Sequence, residues 1–146
     1  MLHLRPATLS DQKPIERLIH DAGINPMSLD WRHFVIAEED GKTIGIGQIK
    51  QHGDGSRELA SIAVIPERQK QGIASEIIRH LLANENGVIY LTCRDQLESF
   101  YARFGFRKIE RAARSVTPYF RRIIRLTNVF LTVSRGNVKI IVMKKE

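Results

Sequence analysis

The chain has 146 residues, 42% of them hydrophobic and 27% charged, which is enough for one domain with its own core and too apolar for a disordered chain. No apolar run approaches the roughly 20 residues of a membrane span, and the single cysteine, Cys93, excludes an intramolecular disulfide or a zinc site built on several thiolates. The net charge of +7 is unevenly placed: residues 1–102 carry 11 Lys and Arg against 14 Asp and Glu, whereas residues 103–146 carry 12 against 2. Such asymmetry points to a polyanionic partner, whether nucleic acid, a membrane surface or a phosphorylated cofactor. Residues Met1 to Asp11 lack a signal-peptide apolar core, which predicts a cytoplasmic protein.

Leu2 to Pro6 reads as an opening strand. Thr8 or Ser10 caps a helix from about Asp11 to Ala22, with Ile15, Leu18 and Ile19 on one stripe. Pro14 falls in its first turn, where proline is tolerated, and Gly23 stops it. Asn25 to His33 is a loop or short helix around Trp31. Strands at Phe34–Glu38 and Thr43–Gln51 flank Asp40-Gly41, a hairpin signal, and His52 to Ser56 forms a second turn. Glu58 to Ile65 is an apolar strand, and Ile73 to Ala83 is a helix with Ile73, Ile77, Ile78, Leu81 and Leu82 inward. Gly87 ends that unit, Val88 to Thr92 is a strand, and Leu97 to Arg103 is a short helix closed by Gly105. Phe106–Arg111 and Val138–Met143 read as the last strands, and Pro118–Leu131 between them is ambiguous, with a helical reading open. This order predicts one domain over residues 1–146, of mixed α/β class, with helices on the faces of a mixed sheet.

The chemistry concentrates at Val64-Ile65-Pro66-Glu67-Arg68-Gln69-Lys70-Gln71-Gly72-Ile73-Ala74-Ser75, where a strand turns through a loop into a helix N-terminus. A helix N-terminus presents unpaired N–H groups and the positive end of the helix dipole, which suits a pyrophosphate. Gly72 lets the backbone approach a ligand, although glycine is also common at ordinary strand-to-helix turns.

This stretch resembles the coenzyme A signature of the GCN5-related N-acetyltransferase (GNAT) family, with Val64, Pro66, Gln69, Gly72 and Ala74 on its pattern positions. Ser99-Phe100-Tyr101-Ala102-Arg103-Phe104-Gly105-Phe106 is similar to the family's second motif, with Phe100 in place of a leucine, and Leu4-Arg5-Pro6-Ala7-Thr8 looks like its first strand. The resemblance covers residue 2 to about 110. It implies a mostly antiparallel mixed sheet with splayed central strands, flanked by helices. It implies acetyl-CoA as co-substrate. The pantetheine arm would lie along Ile62, Ala63 and Val64, and the diphosphate on the amides of Gln69, Lys70, Gln71, Gly72, Ile73, Ala74 and Ser75. The acetyl group would lie where that strand and the Val88–Thr92 strand part.

Tyr101 matches the tyrosine that the family uses as general acid, which protonates the departing thiolate; packing among Phe100, Phe104 and Phe106 is the alternative reading. The attacking amine must lose a proton, and Glu58 lies where histone-acetylating members carry a catalytic glutamate. Strict alternation places Glu58, Ala60, Ile62 and Val64 on one face, where a partly desolvated carboxylate can serve as base; a water relay or a solvated strand end are the alternatives. Arg94 stands where the family often has asparagine, and it can reach cofactor phosphates or an acidic substrate. Cys93 beside it has no neighbouring histidine motif and reads as a small apolar filler rather than a nucleophile.

In the basic tail, Arg121, Arg122 and Arg125 share a face if Tyr119–Arg125 is helical, with Phe120, Ile123 and Ile124 inward. The family builds its acceptor site from segments equivalent to Ala22–Phe34 and Ala112–Asn137; the latter, with neighbouring Arg111, includes Arg114, Arg121, Arg122, Arg125 and Arg135 and no acidic residue. This predicts a small-molecule or peptide amine that also carries an anionic group, and disfavours polyamines and basic tails. A non-catalytic acyl-CoA-binding module or a basic nucleic-acid-binding module is the rival, but no helix-turn-helix, zinc-finger or single-strand-binding motif supports the latter. The five histidines show no metal-ligand spacing, no membrane partner is expected, and a homodimer is left open.

Overall fold

Strand β1 (His3–Pro6), helix α1 (Gln12–Ala22) and strands β2 (Phe34–Glu39), β3 (Lys42–Gln51) and β4 (Arg57–Val64) open the chain. Helix α2 (Ile73–Ala83), strand β5 (Ile89–Arg94), helix α3 (Glu98–Ala102), strand β6 (Arg107–Ile109), helix α4 (Pro118–Val133) and strand β7 (Ile140–Lys145) follow. The structure, a computed structural model, describes residues 1–133 and 139–146, with side chains for 1–127 and 139–146. The hydrogen-bonded strand order is β1-β2-β3-β4-β5-β7-β6. The β1–β2, β2–β3, β5–β7 and β6–β7 pairings are antiparallel, and β4 runs parallel to β5, registered at Glu58 and Tyr90. This is the mixed, mostly antiparallel α/β architecture that the sequence predicts. Two compact units divide the chain, one of residues 1–50 and 59–85, the other of 51–58 and 86–146.

In the first unit, Asp40 and Gly41 both take positive φ, 52° and 74°. That is the backbone of the two-residue turn whose twist matches a β-hairpin. Helix α1 ends at Gly23 in the left-handed conformation, with its N–H on the carbonyls of Ile19 and His20. Its buried stripe, Ile15 and Ile19, packs with Phe34, Ile36, Ile46 and Ala63. Ahead of α1, Arg5 grips Asp11 through two hydrogen bonds, 2.8 and 3.0 Å, and the Thr8 backbone N–H donates to the same carboxylate at 2.7 Å. The Arg5 guanidinium holds the Asp11 carboxyl down to about 2. A carboxyl depressed in the folded state adds stability that is present above its unfolded value near 3.8 and lost as pH falls through about 2. Asp11→Asn is therefore expected to cost about 2 kcal/mol at neutral pH. Urea unfolding at neutral pH and at about pH 2 should show the gap between parent and variant close in acid.

Helix α2 lies directly on β3. A Cβ built on Gly47 meets Ile62 Cδ1 and Ile77 Cγ2 at 2.7 Å and Leu81 Cδ1 at 3.1 Å; one on Gly45 meets Ile77 Cδ1 at 2.9 Å. The glycines at alternate positions of β3 form a flat track that lets helix side chains reach the strand backbone.

In the second unit, β5 pairs with β7 from Ile89↔Lys145 to Arg94↔Ile140. This pairing extends β5 two residues beyond the expected Thr92, because β7 supplies partners that far. Strand β6 is shorter than expected: its register with β7 stops at Ile109↔Val142, and Phe106 is buried rather than paired. The ambiguous segment is helix α4. Phe120 and Ile124 on one side of it are buried with Tyr90, Val116 and Val142, which supplies the apolar face that its propensity alone left undecided. The expected strand start at Val138, the acceptor-segment arginine Arg135 and that segment's end at Asn137 lie outside the described residues. No described helix is long and apolar enough to cross a membrane.

Candidate active site

The loop after β4 leads directly into the N-terminus of α2. Pro66 opens a single 3₁₀ turn, Pro66–Arg68, and two left-handed residues follow, Lys70 at φ 62° and Gly72 at φ 82°. Gln69 before them is extended, at φ −67° and ψ 158°. Gly72 is the N-cap of α2, and no side chain caps the helix. Its first-turn N–H groups thus have no intrahelical acceptor. A Cβ on Gly72 would meet nothing within 4 Å, so glycine serves here for its φ and not for clearance from other protein atoms. The loop's own side chains brace its base: Gln69 Nε2 donates to the Val64 carbonyl (3.1 Å), Arg68 Nε to Gln71 Oε1 (3.0 Å), and Arg68 also pairs with Glu39.

The other predicted residues of this half divide by exposure. Gln69, Lys70, Gln71 and Gly72 are exposed. Ile62, Val64, Ala74 and Ser75 are half-buried. Ile73 is buried against the Gly45 track, and Ala63 faces the α1 core. Ser61 takes φ 59°, with its Oγ accepting from Gln48 Nε2 at 2.8 Å. A left-handed residue in mid-strand interrupts the period-two alternation. The alternation that grouped Glu58 with Ile62 and Val64 therefore does not carry across Ser61.

In the second unit, Tyr101 stands on α3 with Phe100 and Phe106 edge-on to its ring, at centroid distances of 5.0 and 6.2 Å. Burial pushes its phenol up to about 12, with the neighbouring Cys93 adding to the rise. The phenol is therefore protonated at neutral pH. Burial likewise pushes the Cys93 thiol up to about 11, with Glu98 and Asp95 contributing. It is a thiol and not a thiolate at neutral pH, in keeping with a filler role. Arg94 is exposed at the end of β5.

Glu58 is buried, 8% exposed, and not a solvated strand end. Its Oε1 meets His52 Nε2 at 2.8 Å. The His52 ring stacks on Tyr119 at 3.7 Å and meets Phe120 edge-on at 5.6 Å. Asp54 accepts from Ser56 N (3.0 Å), Ser56 Oγ (2.6 Å) and Tyr119 N (2.9 Å), which ties the β3–β4 turn to the start of α4. The Ser56 hydroxyl and the Tyr119 amide hold the Asp54 carboxyl down at about 2. The sequence reading treated His52–Ser56 only as a turn and missed this cluster; its one local signal is a histidine and an aspartate in a glycine-bearing turn two residues ahead of a strand-borne glutamate. Among the described residues no group of three metal-ligating side chains occurs.

On α4, Arg121, Arg122 and Arg125 line a shallow depression of ≈ 330 Å³ together with Pro118. The predicted common face of these arginines is thus present.

An acetyltransferase (GNAT) domain model matches residues 30–108. No curated protein matches the sequence. Among solved structures, the chain is similar to the Rv2747 protein of Mycobacterium tuberculosis in complex with CoA, at TM-score 0.74 and 20% identity, over 98% of each chain. It is similar to N-acetylglutamate synthase of Neisseria gonorrhoeae complexed with coenzyme A and N-acetyl-glutamate, at TM-score 0.70 and 19% identity. That match covers 100% of this chain and 35% of the synthase, so the chain spans about a third of that protein's length. Escherichia coli ElaA matches over the whole of both chains at TM-score 0.70 and 11% identity. At these identities the structures speak for the fold. The family model spans more than half of the chain, including the Gly72 loop and the Tyr101 helix, and the chain belongs to the GNAT acetyltransferase family.

Proposed function

We propose that the chain is an acetyl-CoA-dependent N-acetyltransferase, which moves the acetyl group to a primary amine by direct attack. The observation that carries this reading is the uncapped N-terminus of α2 behind the left-handed pair Lys70 and Gly72, inside the GNAT domain match and where the sequence resembles the family's coenzyme A signature. Acetyl-CoA supplies an activated thioester. The amides from Gln69 to Ser75 bind its diphosphate, and the backbone of Ile62 to Val64 takes the pantetheine arm. Arg94, exposed on its strand, reaches for phosphate or for an acidic acceptor. Glu58 accepts the amine's proton, and Tyr101 donates to the departing sulfur.

Calorimetry with acetyl-CoA on the parent and on Gly72→Glu tests the cradle. The variant adds a carboxylate at the anion site and forces an L-residue to φ 82°. Affinity is expected to fall more than tenfold, about 1.4 kcal/mol or more. A folded variant with an unchanged dissociation constant would place the diphosphate elsewhere. Binding without any turnover would favour the non-catalytic acyl-CoA-binding module.

For the acceptor we infer an amine that also carries an anionic group. The arginine-lined depression on α4 supports this, since no ion pair among the described residues occupies Arg121, Arg122 or Arg125. Such free guanidinium groups hold carboxylates bidentately and repel polycations. The ligand in the Neisseria gonorrhoeae synthase structure, N-acetyl-glutamate, is the acetylated product of an acceptor of this kind and supports the same class. A thioester-consumption screen should rank amino acids and acidic peptides above spermidine and lysine-rich peptides; the reverse ranking overturns the electrostatic argument and leaves the enzyme class standing.

A further inference from the structure

We propose that His52 positions the Glu58 carboxylate by bonding its Oε1, so that the two side chains work as one proton-accepting pair; this rests on the reading of Glu58 as the base. The pair is built into the fold. His52 and Glu58 flank the β3–β4 turn, whose ends are joined by His52 N donating to Ser56 O (2.9 Å) and Gly55 N to His52 O (3.0 Å). Their side chains are 14% and 10% exposed, and Nε2 stands 2.8 Å from Oε1. The imidazole cannot swing away. Tyr119 stacks on its face, Phe120 closes its edge, and Asp54 fixes Tyr119 by accepting its backbone N–H.

Three other groups share this environment: the Tyr119 phenol and the Asp54 carboxylate, which interact electrostatically with Glu58 and His52, and the Tyr90 phenol on β5, the register partner of Glu58. Burial, the Glu58 charge and the Asp54 charge all push the Tyr119 phenol up, so it stays neutral and adds no charge at neutral pH. The imidazole N–H is therefore the group best placed to stabilise the Glu58 charge. A buried carboxylate without such a donor favours its protonated form and is useless as a base; a hydrogen bond to the charged form restores it. With Oε1 occupied by Nε2, Oε2 is left for the substrate. In the step itself an ammonium proton moves to Oε2, the amine gains its lone pair, and the carboxyl stays bonded to His52 through Oε1 until the proton leaves to water.

The test compares kcat/KM against pH for the parent, His52→Phe and His52→Gln. Phenylalanine keeps a flat ring against Tyr119 and removes the N–H. Glutamine places an N–H close to where Nε2 stands. His52→Phe is expected to move the acid limb up by about one pH unit, a roughly tenfold loss at a fixed pH on that limb, because a hydrogen bond to a charged group is lost. His52→Gln should restore most of the shift. A structural role would depress activity at all pH values without moving the limb, and that outcome overturns the proposal. A second readout needs no turnover: Glu58→Gln is expected to change the nitrogen NMR chemical shifts of the His52 ring, and unchanged shifts also overturn the pairing. Glu58→Gln assayed beside these separates the two readings. If it retains full turnover, the base assignment falls and the pair with it; if it loses turnover while His52→Phe leaves the limb in place, only the role of His52 falls.

Discussion

Tyr101→Phe is expected to lower kcat roughly 10- to 100-fold while leaving acetyl-CoA affinity intact. The ring still packs between Phe100 and Phe106, so α3 should keep its place. What disappears is one O–H. Burial pushes that phenol up to about 12, well above an ordinary thiol near 8.5. Full proton transfer to a thiolate is therefore uphill. The larger contribution is a hydrogen bond to sulfur as its negative charge grows, and hydrogen bonds to charged groups are worth about 1.5–3 kcal/mol. This sets the loss below the upper range for general acid catalysis. The same shift predicts that Tyr101 produces no alkaline limb in the parent profile below about pH 11. Calorimetry and steady-state kinetics on the same protein check the separation of kcat from affinity. Equal turnover in the two proteins would assign Tyr101 to packing alone.

Gly47→Val should be the most damaging single change to the fold. Even a lone Cβ at this position stands 2.7 Å from both Ile62 and Ile77, and 3.1 Å from Leu81. Valine adds two further methyl groups to a site with no room for one. Overpacking ordinarily costs about 1–3 kcal/mol, and this clash is directed into two β-branched side chains and a helix. A loss of about 3 kcal/mol or more is expected, a large share of a stability near 5–15 kcal/mol. Gly47→Ala should cost less. Combining it with Ile77→Ala should cost less than the two losses added together, since each relieves the other's defect; a coupling of about 0.5 kcal/mol or more is anticipated from urea unfolding. Strict additivity would show that α2 shifts freely on β3. Because Gly72, to which we assign the diphosphate, caps the N-terminus of α2, Gly47→Ala is also expected to weaken acetyl-CoA binding.

The sequence by itself determined the elements whose cause is local. Asp40-Gly41 dictates its hairpin because both residues tolerate positive φ. Ile73 to Ala83 forms a helix because its apolar side chains recur at helical spacing, and Gly72 marks where it begins. The turn from β4 into α2 is legible for the same reason: Pro66 and Gly72 specify it within a dozen consecutive residues. The tertiary structure decided whatever depends on a partner distant in sequence. Helix α4 is settled by the burial of Phe120 and Ile124 against β5 and β7. The left-handed Ser61 breaks an alternation that reads as unbroken in the sequence, and its Oγ is held by Gln48, 13 residues away. Glu58 read as one carboxylate with two opposite possible surroundings, buried or solvated. Its burial and its imidazole partner appear only when His52, Asp54 and Tyr119, the last of them 61 residues further along the chain, are brought together. The physical reason is that a backbone turn is specified by the conformational limits of adjacent residues, whereas the charge state of a side chain is specified by whichever groups folding places within about 4–6 Å of it.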